Sequence, residues 1–351
     1  MSMSLRSLAM ICAVFLPAQA AYANEVEDQL QAAFDSGELA GLHGVLVRRD
    51  GQTLAEAYFE GQDQRWGDPL GERQFGPEEL HDLRSVSKSI VSLLYGIALD
   101  RNLVPPPEAG LLAQFPEYAD LAEPQRNAIT IEHVLTMQMG LEWNEQLPYT
   151  NPKNSEVAME LAEDKLRFIL SRPIVDTPGT TWSYSGGSTA LLGALISRGS
   201  GQTLAEFAQE ALFQPLGINK SDWVLGLDGK THAAASGLRL TAPDLARIGT
   251  LLANKGQYQG QQIVSQGWIT RSFTAHAAAG GLRYGYQWWL APVGTPPVWA
   301  AGFGNGGQRL TVGQKTGTVV VIQAGNYNQP DDWKLPVKIM EEFLIPGLPP
   351  K

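Results

Sequence analysis

Strand-like runs stand at the two ends of this chain, and helical patterns fill the middle. Near the start, Leu42–Arg49 and 53–59 are apolar runs joined by Asp50-Gly51, a dipeptide suited to the left-handed positions of a hairpin turn. From about residue 283 come 284–290, 298–301, 308–312 and 318–324, each short and bounded by glycine or proline. A strand must pair along its edges and cover its apolar face, so the two ends are expected to meet in one antiparallel sheet. The predicted fold is α+β: a sheet built from both chain ends, flanked by helices, with a mostly helical region inserted over roughly 100–280. Helices are predicted at 25–36, 85–99, 155–170, 188–198, 203–213, 242–254 and 333–343, and a loop rich in Gly, Asp and Glu at 60–80. Thr130 and Thr241 stand where helix N-caps are needed.

The first residues read as an export signal. Arg6 is the only charge among residues 1–23, Leu8 to Leu16 is a short apolar run, and Ala18-Gln19-Ala20 and Ala21-Tyr22-Ala23 are small-x-small cleavage sites. Cleavage after Ala23 is expected, leaving 24–351 as a single exported domain, periplasmic or secreted. The run is too short to span a bilayer, so no stable membrane anchor is expected. Cys12, the only cysteine, lies inside this segment, and the remaining chain has no thiol for a disulfide, a nucleophile or a metal. Net charge is −10, with no Lys/Arg run, which argues against a nucleic-acid partner.

Three local features carry chemistry. Ser85 and Lys88 are three apart at the start of a helix whose Val86, Ile90, Leu93, Leu94 and Ile97 recur at helical spacing, so the two side chains share a face. No other lysine has a serine three residues before it. A serine hydroxyl needs a proton acceptor to become a nucleophile, and a buried lysine can be one. Tyr184 lies in a loop after Pro178-Gly179, where a phenol can relay a proton. Gly302, Gly304, Gly306 and Gly307 surround Asn305 between two strand-like runs, where backbone can approach a substrate closely. Taken singly, these features suit a surface ion-pair helix, a packed aromatic and a bulge equally well.

In order along the chain, Leu83-Arg84-Ser85-Val86-Ser87-Lys88-Ser89 is followed by Ile129-Thr130-Ile131-Glu132-His133-Val134-Leu135-Thr136-Met137 and by Gly140-Leu141-Glu142-Trp143. Then come Pro178-Gly179 with Tyr184-Ser185-Gly186-Gly187, Pro215-Leu216-Gly217-Ile218 and Gly237-Leu238-Arg239-Leu240-Thr241, and finally Tyr284-Gly285-Tyr286-Gln287-Trp288-Trp289 and Gly304-Asn305-Gly306-Gly307-Gln308. This series resembles the serine β-lactamase and penicillin-recognising family, in the class-C-like branch that includes esterases, D-amino peptidases and 6-aminohexanoate-oligomer hydrolases. The resemblance implies Ser85 as nucleophile, Lys88 as general base and Tyr184 as proton shuttle to the leaving group. It implies an oxyanion hole from the backbone N–H groups of Ser85 and Asn305, with Gly186, Gly304, Gly306 and Trp143 around the substrate. Trp288 and Trp289 join Trp143 as candidates for an apolar acyl pocket.

Two departures from the family pattern bear on substrate. Its second motif often ends in Asn, where this chain has Gly186, and its third is Lys-Thr-Gly, where this chain has Phe303 among glycines. Lys315-Thr316-Gly317 falls between two strand-like runs and reads as a hairpin tip. The expected reaction is therefore cleavage of an ester or amide with little dependence on a substrate carboxylate, through an acyl-enzyme on Ser85. The alternatives are a β-lactamase or DD-peptidase proper, and a slowly deacylating sensor on the same fold. A Ser-His-Asp hydrolase would want a G-x-S-x-G elbow, which is absent, and the histidines at 43, 81, 133, 232 and 276 show no pairing or metal spacing. The expected partner is a small-molecule ester or amide or a peptide-like substrate, with no cofactor and no metal.

Overall fold

The computed structural model describes residues 6–292 and 299–349, with side chains from Ala20 onward. Its main sheet has eight antiparallel strands, in the order Ala277–Ala279, Leu282–Tyr284, Trp289–Leu290, Ala300–Gly304, Gln308–Gly313, Thr318–Ala324, Leu42–Arg49 and Gln52–Tyr58. The two chain ends meet where Leu42–Arg49 pairs with Thr318–Ala324, Val45 opposite Ile322 and Val47 opposite Val320. Alternation does the rest. Val45, Val47, Val320 and Ile322 face the helix Arg6–Asp35 and the closing helical segment through Leu30 and Ile339. Leu46, Val319 and Val321 point the other way, into the large core with helices Val86–Asp100 and Ala242–Ala253. Thr241 caps the second of these, accepting the Asp244 N–H at 3.1 Å, and Thr130 forms a capping box with His133.

Three expectations change. Residues 60–80 are not a loop but hold a hairpin, Glu60–Arg65 with Asp68–Gln74, turning through Trp66 and Gly67 at φ 52° and 107°. Its strands are mostly exposed and polar, so they leave no apolar period to read. The run 284–290 is broken at Gly285–Gln287, where Gln287 takes φ 64° and its side-chain oxygen accepts from Thr189 Oγ1 at 2.8 Å. The segment 155–170 is two helices, Ser155–Glu160 and Lys165–Leu170, each with its own cap, Asn154 and Asp164. Of the predicted strand 298–301, Val298 lies outside the described residues.

A small sheet positions the loop before Val86. His81–Asp82 and Asp222–Trp223 both pair with Leu238–Leu240, and Leu83 N–H extends the ladder to Leu238 O at 2.9 Å. Arg239 locks it from below. Its guanidinium donates to Asp63 and Asp82, both at 2.9 Å, to Leu80 O at 2.7 Å, and to Gln64 O. All three charged groups are buried. Replacing Arg239 by Met would leave buried Asp63 without its cation and Asp82 with Arg84 alone, and breaking such a pair costs about 3–5 kcal/mol. We expect a loss of that size in urea unfolding of Arg239→Met; a change under about 1 kcal/mol would mean the network does not hold this sheet.

Candidate active site

Ser85 immediately precedes the helix Val86–Asp100, where its N–H has no intrahelical carbonyl to bond. The residue before it, Arg84, takes φ 48°, a left-handed conformation unusual for a side-chain-bearing residue. It is held there by Asp82 at 3.1 Å and by stacking over the Tyr327 ring at 4.8 Å. Lys88 lies one turn on and is only 1 % exposed. Its Nζ donates to Ser85 Oγ at 3.0 Å, Glu156 Oε2 at 3.1 Å and Ala235 O at 3.2 Å. An ammonium has three N–H bonds and no lone pair, so this set satisfies the charged form completely. Burial pushes Lys88 towards the neutral amine, but the charge of Glu156, helped by Tyr184 and Glu145, prevails and holds it above the ordinary lysine range.

The partly buried Tyr184 phenol stands beside Ser85 and lies with its ring centroid 5.0 Å from Lys88 Nζ. Burial raises its pKa, with Lys88 working against that, so the resting group is a phenol. Trp182 and Trp289 pack beside it with centroids 6.1 and 5.8 Å away. A second carboxylate lies behind. Glu145 accepts from Trp143 Nε1 at 2.6 Å, Gly186 N–H at 2.5 Å and Tyr149 Oη at 3.0 Å. Burial first, and the nearby Glu156 second, push its carboxyl up to about 7.

Ser85 opens onto a cleft of about 420 Å³, whose lining includes Arg84, Asn305, Asn328, Glu156, Val157, Leu225 and Leu227. Asn305 lines the same cleft as Ser85, with its side-chain oxygen accepting Asn328 N–H at 3.0 Å. The other predicted substrate contacts are engaged by the protein itself. A side chain at Gly186 would run into the Glu156 carboxylate, one at Gly304 into Leu83 O, and one at Gly306 into the Tyr327 ring. Gly306 N–H also donates to Asp332 Oδ2 at 2.6 Å. Trp143 sits under the site, its ring edge against Gly187, and reaches the cleft only through Glu145. Trp288 is buried against Phe273, and Trp289 stacks on Phe303 behind Tyr184. These glycines therefore allow close approach of the protein's own backbone and side chains around the site. Lys315 lies in the turn between Gln308–Gly313 and Thr318–Ala324, a strand beyond the Gly-rich edge beside Ser85.

Sequence reading missed Glu145, Tyr149, Glu156 and Ser236. They sit in segments with no motif of their own, and only the fold brings them to Lys88. His43 and His81 form a buried pair with ring nitrogens 2.9 Å apart, away from the serine.

The family model described as Beta-lactamase matches residues 25–335. The chain belongs to this family of serine hydrolases. It is 27 % identical over 315 residues to a 6-aminohexanoate-dimer hydrolase from Paenarthrobacter ureafaciens, covering 82 % of this chain and 73 % of that one. A lovastatin esterase from Penicillium rubens is 27 % identical over 348 residues, covering 80 % and 82 %. Among solved structures, a class C β-lactamase in complex with cefoxitin superposes with a TM-score of 0.68 at 17 % identity, covering 92 % of this chain and 99 % of that one. A hydrolase with promiscuous acyltransferase activity gives 0.70 at 17 % identity, covering 92 % and 97 %.

Glu145 has a direct consequence for stability. Its native pKa of about 7 lies above the ordinary glutamate value, so the folded state holds this proton more tightly than the unfolded chain does. The stabilisation is complete below the unfolded value and is lost as pH rises through about 7. At about 1.4 kcal/mol per pKa unit, the loss is on the order of 3 kcal/mol. Glutamine preserves the acceptor oxygen and cannot ionise. Denaturant unfolding should show wild type losing stability relative to Glu145→Gln between pH 4.5 and 8; parallel curves would contradict this.

Proposed function

We propose that this protein is an exported hydrolase that cleaves a neutral, largely apolar ester or amide through an acyl-enzyme on Ser85. The observation that carries it is the Lys88 Nζ at 3.0 Å from Ser85 Oγ, with the Tyr184 ring 5.0 Å from the same Nζ, where Ser85 lines an open cleft. In this reading Lys88, as an amine, accepts the Ser85 proton and Tyr184 delivers it to the leaving group. The backbone N–H groups of Ser85 and Asn305 bind the carbonyl oxygen as it becomes an oxyanion.

Two features of the cleft support the substrate class. Both its arginines already have acidic partners, Arg65 with Asp222 and Arg84 with Asp82, so neither is an open seat for a substrate carboxylate. Its lining includes Val157, Leu225 and Leu227, and the two leucines are 44 % and 61 % exposed. Such side chains gain about 0.8 kcal/mol for each substrate methylene they cover. Relatives named for dimer hydrolysis and esterase activity agree with this class. For export, Tyr22 Oη donates to Leu344 O at 2.8 Å, and Tyr22 is buried. Cleavage after Ala20 would keep this contact where cleavage after Ala23 would not; N-terminal sequencing of the exported protein distinguishes the two.

A p-nitrophenyl ester series tests the function. We expect Ser85→Ala to abolish turnover, and kcat/KM for esters to exceed that for cephalosporins at least tenfold, the lower range of one charge-assisted hydrogen bond at about 1.5–3 kcal/mol. Replacing Leu225 and Leu227 together by Asp should lower kcat/KM about tenfold for six- to eight-carbon acyl chains, and less than about threefold for acetate. Turnover surviving in Ser85→Ala, or cephalosporins hydrolysed as fast as esters, would overturn the reading.

A further inference from the structure

Neither group assigned to move the Ser85 proton is free to accept it at rest. All three N–H bonds of Lys88 are directed at acceptors, and Tyr184 is a phenol. Among the described residues the remaining acceptor that touches Lys88 with a charge of its own is Glu156.

Glu156 is held from every side. It lies in the first turn of the helix Ser155–Glu160, and its own N–H donates to the capping Asn154 Oδ1 at 2.9 Å. Its Oε1 accepts from Ser236 Oγ at 2.9 Å, and Ser236 Oγ in turn accepts from Trp66 Nε1 at 3.0 Å. That leaves Oε2 aimed at Lys88 Nζ, 3.1 Å away and buried. The second observation is independent of the first. A Cβ at position 186 would collide with Oε2, and position 186 is glycine where the resemblance expects Asn. Carboxylate and glycine are thus a matched pair: the volume next to Lys88 is filled by an acid from another helix. The ionisable groups around it are Lys88, Glu145, Glu160, Tyr149 and Tyr184.

We propose that Glu156 is the proton partner of Lys88, taking an ammonium proton so that the freed amine can accept that of Ser85. This rests on Ser85 being the nucleophile. An N–H bond of Lys88 breaks as an O–H bond forms on Oε2. The amine lone pair then takes the Ser85 proton while Oγ bonds to the substrate carbonyl carbon. Lys88 is again an ammonium, Glu156 is a neutral acid, and the negative charge has moved from Glu156 to the oxyanion. On collapse the bond to the leaving group breaks, Lys88 returns a proton to that group through Tyr184, and Glu156 hands its proton back. The acyl-enzyme then holds the same ion pair as the resting site, and water can repeat the sequence in place of Ser85. Glu156 acts through Lys88 and is a positioning residue.

The test is the pH dependence of fluorophosphonate labelling, which reads activation of the serine without a deacylation step. Wild type should label at Ser85 with a rate nearly flat between pH 6 and 9, because the proton moves inside the site. In Glu156→Gln, Lys88 must lose its proton to solvent, so the rate at pH 6 should fall at least tenfold. It should then climb about tenfold per pH unit towards the wild-type value. Glu156→Asp should restore the flat profile. A Glu156→Gln profile with the wild-type shape, at any height, would overturn the proposal, whereas wild-type labelling at a residue other than Ser85 would instead overturn the nucleophile. Should Glu156→Gln fail to fold, ¹⁵N spectra of wild type, with Lys88→Arg to assign the signal, decide the matter. The proposal requires Lys88 to be an ammonium throughout pH 6 to 8, and a neutral amine there would sink it.

Discussion

A buried ammonium is the constraint around which this site is organised. Lys88 is among the largest fully buried side chains in the molecule, and a charge removed from water must find partners or neutralise. Here it finds three, one local and two from distant stretches: Ser85 one turn before it, Glu156 in the inserted helical region and Ala235 beside the small sheet. Meeting that one demand draws the insertion down onto the sheet domain and forms the cleft between them. The same demand explains why Arg239, Asp63 and Asp82 brace the small sheet from below, since a displaced Ala235 would leave the ammonium one acceptor short.

The second organising feature is close approach. The strand Ala300–Gly304 lies against the helix that follows Ser85, and a side chain at Gly302 would crowd Ser89 and Val86. Ser89 and Ser92 in turn donate to Gln287 O and Tyr286 O, both at 2.7 Å, and so tie the helix to the bend that interrupts the neighbouring strands. Strand edge, helix start and bend are fixed to one another, and Asn305 at the strand end lines the same cleft as Ser85. Preorganisation of this kind is what an oxyanion site requires, because the donors do not reorganise as charge develops.

Much of the fold was legible because it depends on patterns that are local in sequence. Apolar runs bounded by turn residues marked the strands at both ends, 3.6-residue spacing marked the helix after Ser85, and the Ser85–Lys88 interval is set by helix geometry alone. The hairpin at 60–74 was not legible, because its strands are polar on both faces and bury little. The acids at 145 and 156 were not legible either. Their significance arises from pairing with Lys88 across 68 residues in the case of Glu156, and nothing in a stretch such as Asn154-Ser155-Glu156-Val157 distinguishes it from an ordinary capped helix start. The role of the glycines was not legible for a related reason. Sequence shows that backbone must be approached closely at 186, 304 and 306, but not whether the visitor is substrate or protein.

The central claim is a covalent acyl-enzyme on Ser85. It is tested most directly by rapid quenching of the wild-type protein during turnover of an activated ester, followed by peptide mapping. The account predicts an acyl group on the peptide containing Ser85 that accumulates within one turnover and disappears as the ester is exhausted. Steady turnover with the Ser85 peptide unmodified at every quench time, or with the acyl group on a different residue, would contradict it.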